Sequence, residues 1–200
     1  MQLRMPNFLL ALVAVLLALA DNALAEQHLT EQWSDLWTRC RTAIEDVKPV
    51  NVDGLLRLTT LPQDYEKTAR RYDKWRVMHR GQDRFAILEA EYRKHNGVRR
   101  ICDVTLAPDA KRLNPDEEAI LARAFLVERA KLIAHRMHEI RNPDSIFPII
   151  PLGVGPKRNN QNGCPVISFI MFDLSSDFFN SGTAEQVLDR GCAGPSFLED

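Results

Sequence analysis

The sequence predicts an α+β fold, in which an N-terminal helix and one long central helix pack on a mostly antiparallel sheet of about four strands. Apolar residues recur every three or four positions over 29–47 and again over 114–140, which is the pattern of amphipathic helices. Between these segments, strand-like runs follow one another with short polar turns, as in a β-meander. The chain also contains 4 cysteines among its 200 residues, and in an exported protein an even number predicts two disulfides.

The N-terminal segment 1–25 is predicted to be a signal peptide. An uninterrupted apolar run covers Phe8–Ala20, which is the length of a signal-peptide core and too short for a comfortable membrane span. Ala23 and Ala25 have the small-residue spacing that signal peptidase requires, so we expect cleavage after Ala25. An uncleaved N-terminal anchor is the alternative. Residues 26–200 then form one globular α+β domain, periplasmic or secreted, with no membrane span after cleavage.

The overall charge indicates which classes of partner to expect. The chain has 26 basic and 27 acidic residues, so its formal net charge is −1. A balanced surface has no long-range field to attract a polyanion, which argues against nucleic acid as the main partner. No cofactor-binding motif is found, and no cofactor is predicted. The expected partner is a protein or a small ligand outside the cytoplasm.

The first helix of the domain is predicted over Leu29–Val47, and Pro49 ends it. Its apolar residues form one stripe, which must face the core. They are Leu29, Trp33, Leu36, Trp37, Cys40, Ile44 and Val47. Cys40 lies in the middle of this stripe.

Four strands are predicted, at Trp75–Arg80, Arg84–Lys94, Val98–Leu106 and Val166–Phe172. The turn between the second and third strands is either a two-residue Asn-Gly turn or a three-residue loop, His95–Gly97. We favour the three-residue loop, because it collects one nearly apolar face. In that register Ala86, Leu88, Ala90 and Tyr92 lie opposite Leu106, Val104, Cys102 and Arg100.

The cysteine pairing follows from these two elements. Cys102 and Cys40 are both predicted to face the core, one from the sheet and one from the helix, so we expect a Cys40–Cys102 disulfide. Cys164 and Cys192 then form the second disulfide, which joins the last strand to the C-terminal segment. Reduced and buried cysteines are the alternative.

The central helix has the clearest local signals. Asn114 is a suitable N-cap, Pro115 suits the first helical position, and three acidic residues follow in the first turn. One apolar stripe and a second apolar ridge predict a helix buried on two sides, or one that also covers a partner surface. The stripe is Ala119, Ala122, Leu126, Ala130, Ile133, Met137 and Ile140, and the ridge is Leu121, Phe125 and Leu132. A short helix is predicted later, over Thr183–Arg190.

Few residues are candidates for a metal-binding or catalytic role, and no catalytic residue is assigned. His135, His138 and Glu139 share a helical face, as metal ligands or acid–base groups must, but the HExxH arrangement is missing. A solvated charged face accounts for all three residues and is the favoured interpretation. Cys164 has no neighbouring histidine in the sequence that would activate it, so a disulfide is the simpler role.

Two polar segments are candidate binding surfaces. Lys157 and Arg158 lie in a long Gly-, Pro- and Asn-rich loop that lacks the phosphate-loop spacing. Phe178 and Phe179 lie in a turn-like segment, where they are candidates for an exposed apolar patch.

The sequence therefore favours a non-catalytic, exported module that binds a protein or a small ligand. The alternative is an extracytoplasmic hydrolase or metal-dependent enzyme that uses His135, His138 and Glu139.

Overall fold

Two helices and an antiparallel sheet make up the described part of the protein, as seen in a computed structural model. The structure describes residues 6–61, 66, 71–94, 97–108, 110–136, 149–151, 166–171, 180–189 and 196–198. The elements are α1 (Pro6–Asp46), β1 (Leu56–Arg57), β2 (Lys74–His79), β3 (Phe85–Lys94), β4 (Gly97–Leu106), α2 (Pro115–Arg136), β5 (Ile149–Pro151), β6 (Val166–Met171) and β7 (Asn180–Asp189). The predicted α+β class is confirmed.

The sheet contains the four predicted strands as β2, β3, β4 and β6. In the described residues three further strands join them, and the order across the sheet is β1-β2-β3-β4-β7-β6-β5. Each of these pairings is antiparallel. The prediction of a helix over Thr183–Arg190 is wrong, because residues 183–189 belong to β7, which lies between β4 and β6. Backbone pairing on both sides overrides the local preference of this segment.

The core lies between α1 and one face of the sheet. Of the predicted α1 stripe, Leu29, Trp33, Leu36, Trp37, Cys40 and Ile44 are buried, as expected. They pack on sheet residues that include Phe85, Ile87, Val104 and Leu106. A smaller cluster around Val77, Ala86 and Leu88 covers the opposite face. Both faces of β3 are therefore buried.

The predicted register between β3 and β4 is wrong by one residue. Lys94 pairs with Gly97, so only two residues separate the strands and Gly97 belongs to β4 rather than to the loop. Cys102 lies opposite Glu89 instead of Ala90. The hydrophobic pattern does not define the register because β3 is buried on both faces. Its two core-side glutamates, Glu89 and Glu91, are paired with arginines rather than exposed to water.

The beginning of α1 differs from the prediction. The helix does not begin near Leu29 but continues through the predicted signal peptide to Pro6. Within this extension, the described side chains of Leu12, Val13 and Leu24 are between 46% and 64% exposed. Neither helix, over the residues that are described, is both long and apolar enough to cross a membrane.

The end of α1 contains an unusual backbone conformation. Val47 has a φ of 54°, in the left-handed region, and the Lys48 N–H donates to the Ala43 carbonyl at 3.0 Å. This is the hydrogen bond of a Schellman ending, in which glycine is the usual residue at the position of Val47. A β-branched residue in this conformation is strained by about 1–2 kcal/mol.

We therefore expect Val47→Gly to stabilise the protein by about 0.5–1 kcal/mol, because the relief of strain exceeds the entropy that glycine loses on folding. The free energy of unfolding in urea measures the effect. Asp46→Gly is the control: Asp46 is the last residue of the helix, so glycine there should destabilise the protein by about 1 kcal/mol. A loss of stability in both variants would contradict the strain at Val47.

Candidate functional site

The beginning of α2 forms one wall of a cleft, and its conformation follows from the local sequence. The Asn114 Oδ1 accepts the N–H groups of Asp116 and Glu117 at 3.0 and 2.9 Å. In return, the Glu117 Oε2 accepts the Asn114 N–H at 2.9 Å. This reciprocal arrangement is a capping box, and it confirms the predicted start of the helix at Pro115.

Arg84 connects this wall to the rest of the fold. Its Nη1 donates to the Glu117 Oε1 at 2.7 Å, and its Nη2 donates to the Lys111 carbonyl at 3.0 Å. The backbone N–H of Arg84 donates to the Gln32 Oε1 of α1 at 3.0 Å. One residue at the start of β3 thus holds α1 and the beginning of α2 in place.

A cleft of about 610 Å³ lies between the two helices. The Arg123 Nη2 and the Glu26 Oε1 form an ion pair across it at 2.8 Å, with side chains 61% and 47% exposed. Apolar side chains, among them Leu29 and Ile120, contribute to its lining. The complete lining is Ala25, Glu26, His28, Leu29, Gln32, Arg84, Asn114, Asp116, Glu117, Ala119, Ile120 and Arg123.

The pKa of Glu117 is set by competing effects. Burial raises this pKa, but the hydrogen bond from the Asn114 N–H and the contacts with Arg84 outweigh burial, so the pKa lies below its ordinary value. Glu117 is therefore ionised at neutral pH. A lowered carboxyl pKa stabilises the fold above the pKa of the unfolded chain, and this stabilisation is lost as the pH falls through the folded-state pKa.

We expect Glu117→Gln to lower the free energy of unfolding by about 1 kcal/mol at pH 7. The difference in this free energy between the variant and wild type should shrink as the pH falls from 5 to 3. Urea unfolding at several pH values measures this dependence. Glu118→Gln is the matched control, because the Glu118 side chain is exposed on the same helical turn. A difference that does not change with pH would contradict the assigned role of Glu117.

A second group of charges lies under the end of α1, on the core side of the sheet. The Arg76 Nη2 contacts the Glu89 Oε2 at 2.6 Å, and Glu91 forms ion pairs with Arg93 and with Arg100. Glu91 and Arg100 are only 2% and 5% exposed. We call Arg76, Glu89, Glu91, Arg93 and Arg100 the ionic cluster.

Burial dominates the electrostatics of the ionic cluster. Desolvation raises the pKa of Glu89, and the charge and hydrogen bonds of Arg76 oppose this rise only in part. Desolvation also lowers the pKa of Arg100, together with the neighbouring Arg93, while Glu91 acts in the opposite direction. Buried charges of this kind are stable only when they stay paired.

The outer face of α2 corrects the sequence analysis. Leu121 and Phe125, from the predicted second ridge, are buried, whereas Leu126 of the main stripe is 63% exposed. The alanines of that stripe at 119 and 130 are also exposed. The ridge faces inward because Phe125 packs on Trp33 of α1, with ring centroids 4.7 Å apart. At Ala119, Leu126 and Ala130 the stripe is therefore accessible to solvent, so within the described residues α2 is not buried on two sides.

The structure joins two of the predicted site residues: Cys40 and Cys102 form a disulfide with Cα atoms 5.3 Å apart, as expected. The predicted Cys164–Cys192 pair lies outside the described residues. His135 belongs to α2, but its side chain is not among those described, and His138 and Glu139 lie beyond them. The candidate binding residues Lys157, Arg158, Phe178 and Phe179 also lie outside. No three potential metal-binding side chains come together in the part of the chain that is described.

The cleft and the ionic cluster were not predicted from the sequence. Arg84 and Glu117 are 33 residues apart, and Glu26 and Arg123 are 97 residues apart. Neither pair forms a motif. A signal in the sequence was the presence of Glu89 and Glu91 among the apolar residues of the strand segment 85–92.

Comparison with known proteins provides no functional assignment. The chain matches no protein-family model, no curated protein and no solved structure. The functional argument therefore rests on the residues of this chain.

Proposed function

We propose that this chain is an exported, non-catalytic binding module, and that the cleft between α1 and α2 holds a short peptide with free termini. The main support for the proposal is the size and the lining of the cleft. Its volume of about 610 Å³ is within the range of about 300–1,000 Å³ that small-ligand sites have. Charged groups surround its apolar lining, which is the composition of a site that orients an amphipathic ligand.

The spacing of two charged residues on α2 indicates the length of this ligand. Asp116 and Arg123 both line the cleft, and they lie seven residues apart, which is two helical turns and about 10 Å along the axis. An extended tripeptide spans about 10 Å. Its ammonium group would contact Asp116 and its carboxylate would contact Arg123, while its apolar side chains would cover Leu29 and Ile120.

The existing contacts of the cleft favour binding rather than proton transfer. The Arg123–Glu26 ion pair is exposed, and such pairs contribute at most about 1 kcal/mol, so a ligand carboxylate replaces Glu26 at little cost. Glu117 is held ionised by Asn114 and Arg84, which suits a fixed charge and not a general acid.

Three features support export. The segment Phe8–Ala20 and the Ala23–Ala25 site have the composition of a signal peptide. The side chains of residues 1–25 that the structure describes are exposed, so none of these belongs to the core, although Ala25, which lines the edge of the cleft, is removed with the segment. The Cys40–Cys102 disulfide is of the kind that persists in an oxidising compartment.

Calorimetric titration of the exported protein with trileucine tests the proposal. The intact mass of this protein should correspond to a chain that begins at Glu26. Trileucine with free termini should bind, and trileucine with an acetylated N-terminus and an amidated C-terminus should bind at least about tenfold more weakly, because both charged contacts are lost.

Two substitutions on α2 locate the site. Ala119→Trp should abolish binding because it fills the cleft, whereas Ala130→Trp should leave binding unchanged, because Ala130 is exposed on the same helix but does not line the cleft. Equal affinity for free and blocked trileucine, or equal behaviour of the two variants, would reject the cleft as the binding site. A recovered chain that retains residues 1–25 would reject processing at Ala25.

A further inference from the structure

His28 and Gln32 lie one turn apart on α1, and both line the cleft. The His28 Nε2 and the Gln32 Nε2 are 2.9 Å apart, which is a hydrogen-bond distance. Such a contact requires one of these nitrogens to donate and the other to accept. Which of the two donates decides where the imidazole ring carries its proton.

The backbone at the start of β3 fixes the orientation of the Gln32 amide group. The Arg84 backbone N–H donates to the Gln32 Oε1 at 3.0 Å, and an N–H group can only donate. The opposite orientation of the amide would place its NH2 group against the Arg84 N–H, so that two donors would face each other. The NH2 group of Gln32 therefore points to His28.

This orientation also fixes the position of the proton on the His28 ring. The Gln32 NH2 group can only donate, so the His28 Nε2 must accept. A ring nitrogen that accepts carries no proton, and the single proton of the neutral imidazole then lies on Nδ1. Among the described residues no acceptor for this Nδ1 is found. His28 thus has one N–H donor that the described part of the chain does not engage.

His28 lies between the two ends of the cleft. Two residues before it on α1, Glu26 pairs with Arg123, which we assign to the ligand carboxylate. Four residues after it, Gln32 contacts Arg84, which holds the beginning of α2. At about 1.5 Å per residue, these separations are about 3 and 6 Å along the helix axis. An extended tripeptide between the two ends would therefore place a peptide group, and not a terminus, beside His28.

We propose that His28 is a specificity-determining residue of the cleft, and that its Nδ1–H donates to a main-chain carbonyl of the bound peptide. Gln32 is a positioning residue, because it keeps the ring proton on Nδ1. The inference deepens the proposed function and rests on it, since the ligand is the same short peptide. A donor at this position selects a ligand with a carbonyl group between its termini over an amphipathic ion of the same length that lacks one.

The position of the proton is measured without a ligand, from the long-range nitrogen–proton correlation spectrum of the His28 ring in the exported protein at pH 7.5. We expect Nδ1 to be protonated and Nε2 to be unprotonated. Loss of these signals in His28→Asn assigns them. Gln32→Glu has nearly the same shape, but both of its side-chain oxygens accept, so the His28 Nε2 should gain a proton in this variant.

Gln27→Glu is the matched control for this spectrum. It adds the same charge one residue before His28, but the Gln27 side chain contacts Glu31 and does not line the cleft. The His28 ring of this control should keep its proton on Nδ1 alone. A proton on Nε2 in wild type, or the same ring spectrum in wild type and in Gln32→Glu, would overturn the proposal.

Calorimetric titration with trileucine tests the donor itself. His28→Gln should bind trileucine about fivefold more weakly than wild type does, which corresponds to the loss of one neutral hydrogen bond. His28→Asn should keep most of the wild-type affinity, because the amide nitrogen of asparagine lies close to the position of the imidazole Nδ1. A merely structural role of the side chain would not separate these two variants.

The outcomes distinguish this inference from the proposed function. Equal affinity of wild type and His28→Gln for trileucine would overturn the donor role of His28 and would leave the cleft as the binding site. Equally weakened binding by His28→Gln and His28→Asn would overturn it as well. Absence of trileucine binding to wild type would reject the proposed function, and the ligand contact of His28 with it.

Discussion

Removal of the Cys40–Cys102 disulfide is expected to lower the free energy of unfolding by about 4 kcal/mol. The bond joins residues 62 positions apart, and the loop-closure entropy that it removes from the unfolded chain increases with that length. Both cysteines are fully buried in the core between α1 and β4. Urea unfolding of Cys40→Ala, of Cys102→Ala and of the double variant measures the effect.

The double variant is the decisive comparison. Either single substitution already breaks the bond, so the two single variants should lose similar amounts and the double variant should lose little more. Additive losses would mean that the two cysteines contribute independently, which contradicts the disulfide. The same proteins also show whether α1 keeps its position on the sheet, because tryptophan fluorescence reports on Trp33 and Trp37 of that helix.

Replacement of Trp33 by alanine is expected to cost about 4 kcal/mol, because Trp33 is a fully buried side chain that connects the two helices. Its ring stacks on Trp37 with centroids 5.9 Å apart, and it packs against Phe125 of α2. Trp33→Ala leaves a cavity that neither neighbour can fill without moving. The measurement is again the free energy of unfolding in urea.

Leu126→Ala is the control for this prediction. Leu126 is adjacent to Phe125 in sequence but is 63% exposed, so its truncation should change stability by less than about 0.5 kcal/mol. A larger loss at Leu126 than at Trp33 would reverse the orientation assigned to α2. It would also place the apolar stripe that contains Leu126 in the core, as a helix buried on two sides would have it.

The proposed activities depend on this orientation. With Phe125 turned toward Trp33, Asp116 and Arg123 face the cleft that we assign to a short peptide. The ionic cluster lies in the same way under the end of α1, where Ala43 and Ile44 line the same small cavity as Glu89, Glu91 and Arg100. The disulfide and the tryptophan pair therefore stabilise the walls of the cleft and the position of α1 above the ionic cluster.

The start of α2, the buried stripe of α1 and the Cys40–Cys102 disulfide were predicted correctly from the sequence. Asn114 and Pro115 are adjacent in the sequence, so the N-cap and the start of α2 follow from local signals, whereas the return contact of Glu117 that completes the capping box was not predicted. The stripe of α1 has one apolar face, and only one arrangement buries it. Cys40 in this stripe and Cys102 in a core strand then led to the correct disulfide, although the register that supported it was wrong by one residue.

Other features were decided only by the tertiary structure. Both apolar surfaces of α2 were equally able to face α1, and the packing of Phe125 on Trp33 selected one of them. Glu89 and Glu91 could enter the buried face of β3 only because Arg76 and Arg100 lie beside them in space. The sequence by itself located α2, the buried part of α1 and four of the strands, since capping signals and apolar periodicity are local, but it missed β7 because the hydrogen bonds of that strand come from β4 and β6. Which faces meet, and which charges pair, depends on residues far apart in the chain, and only the folded structure brings those together.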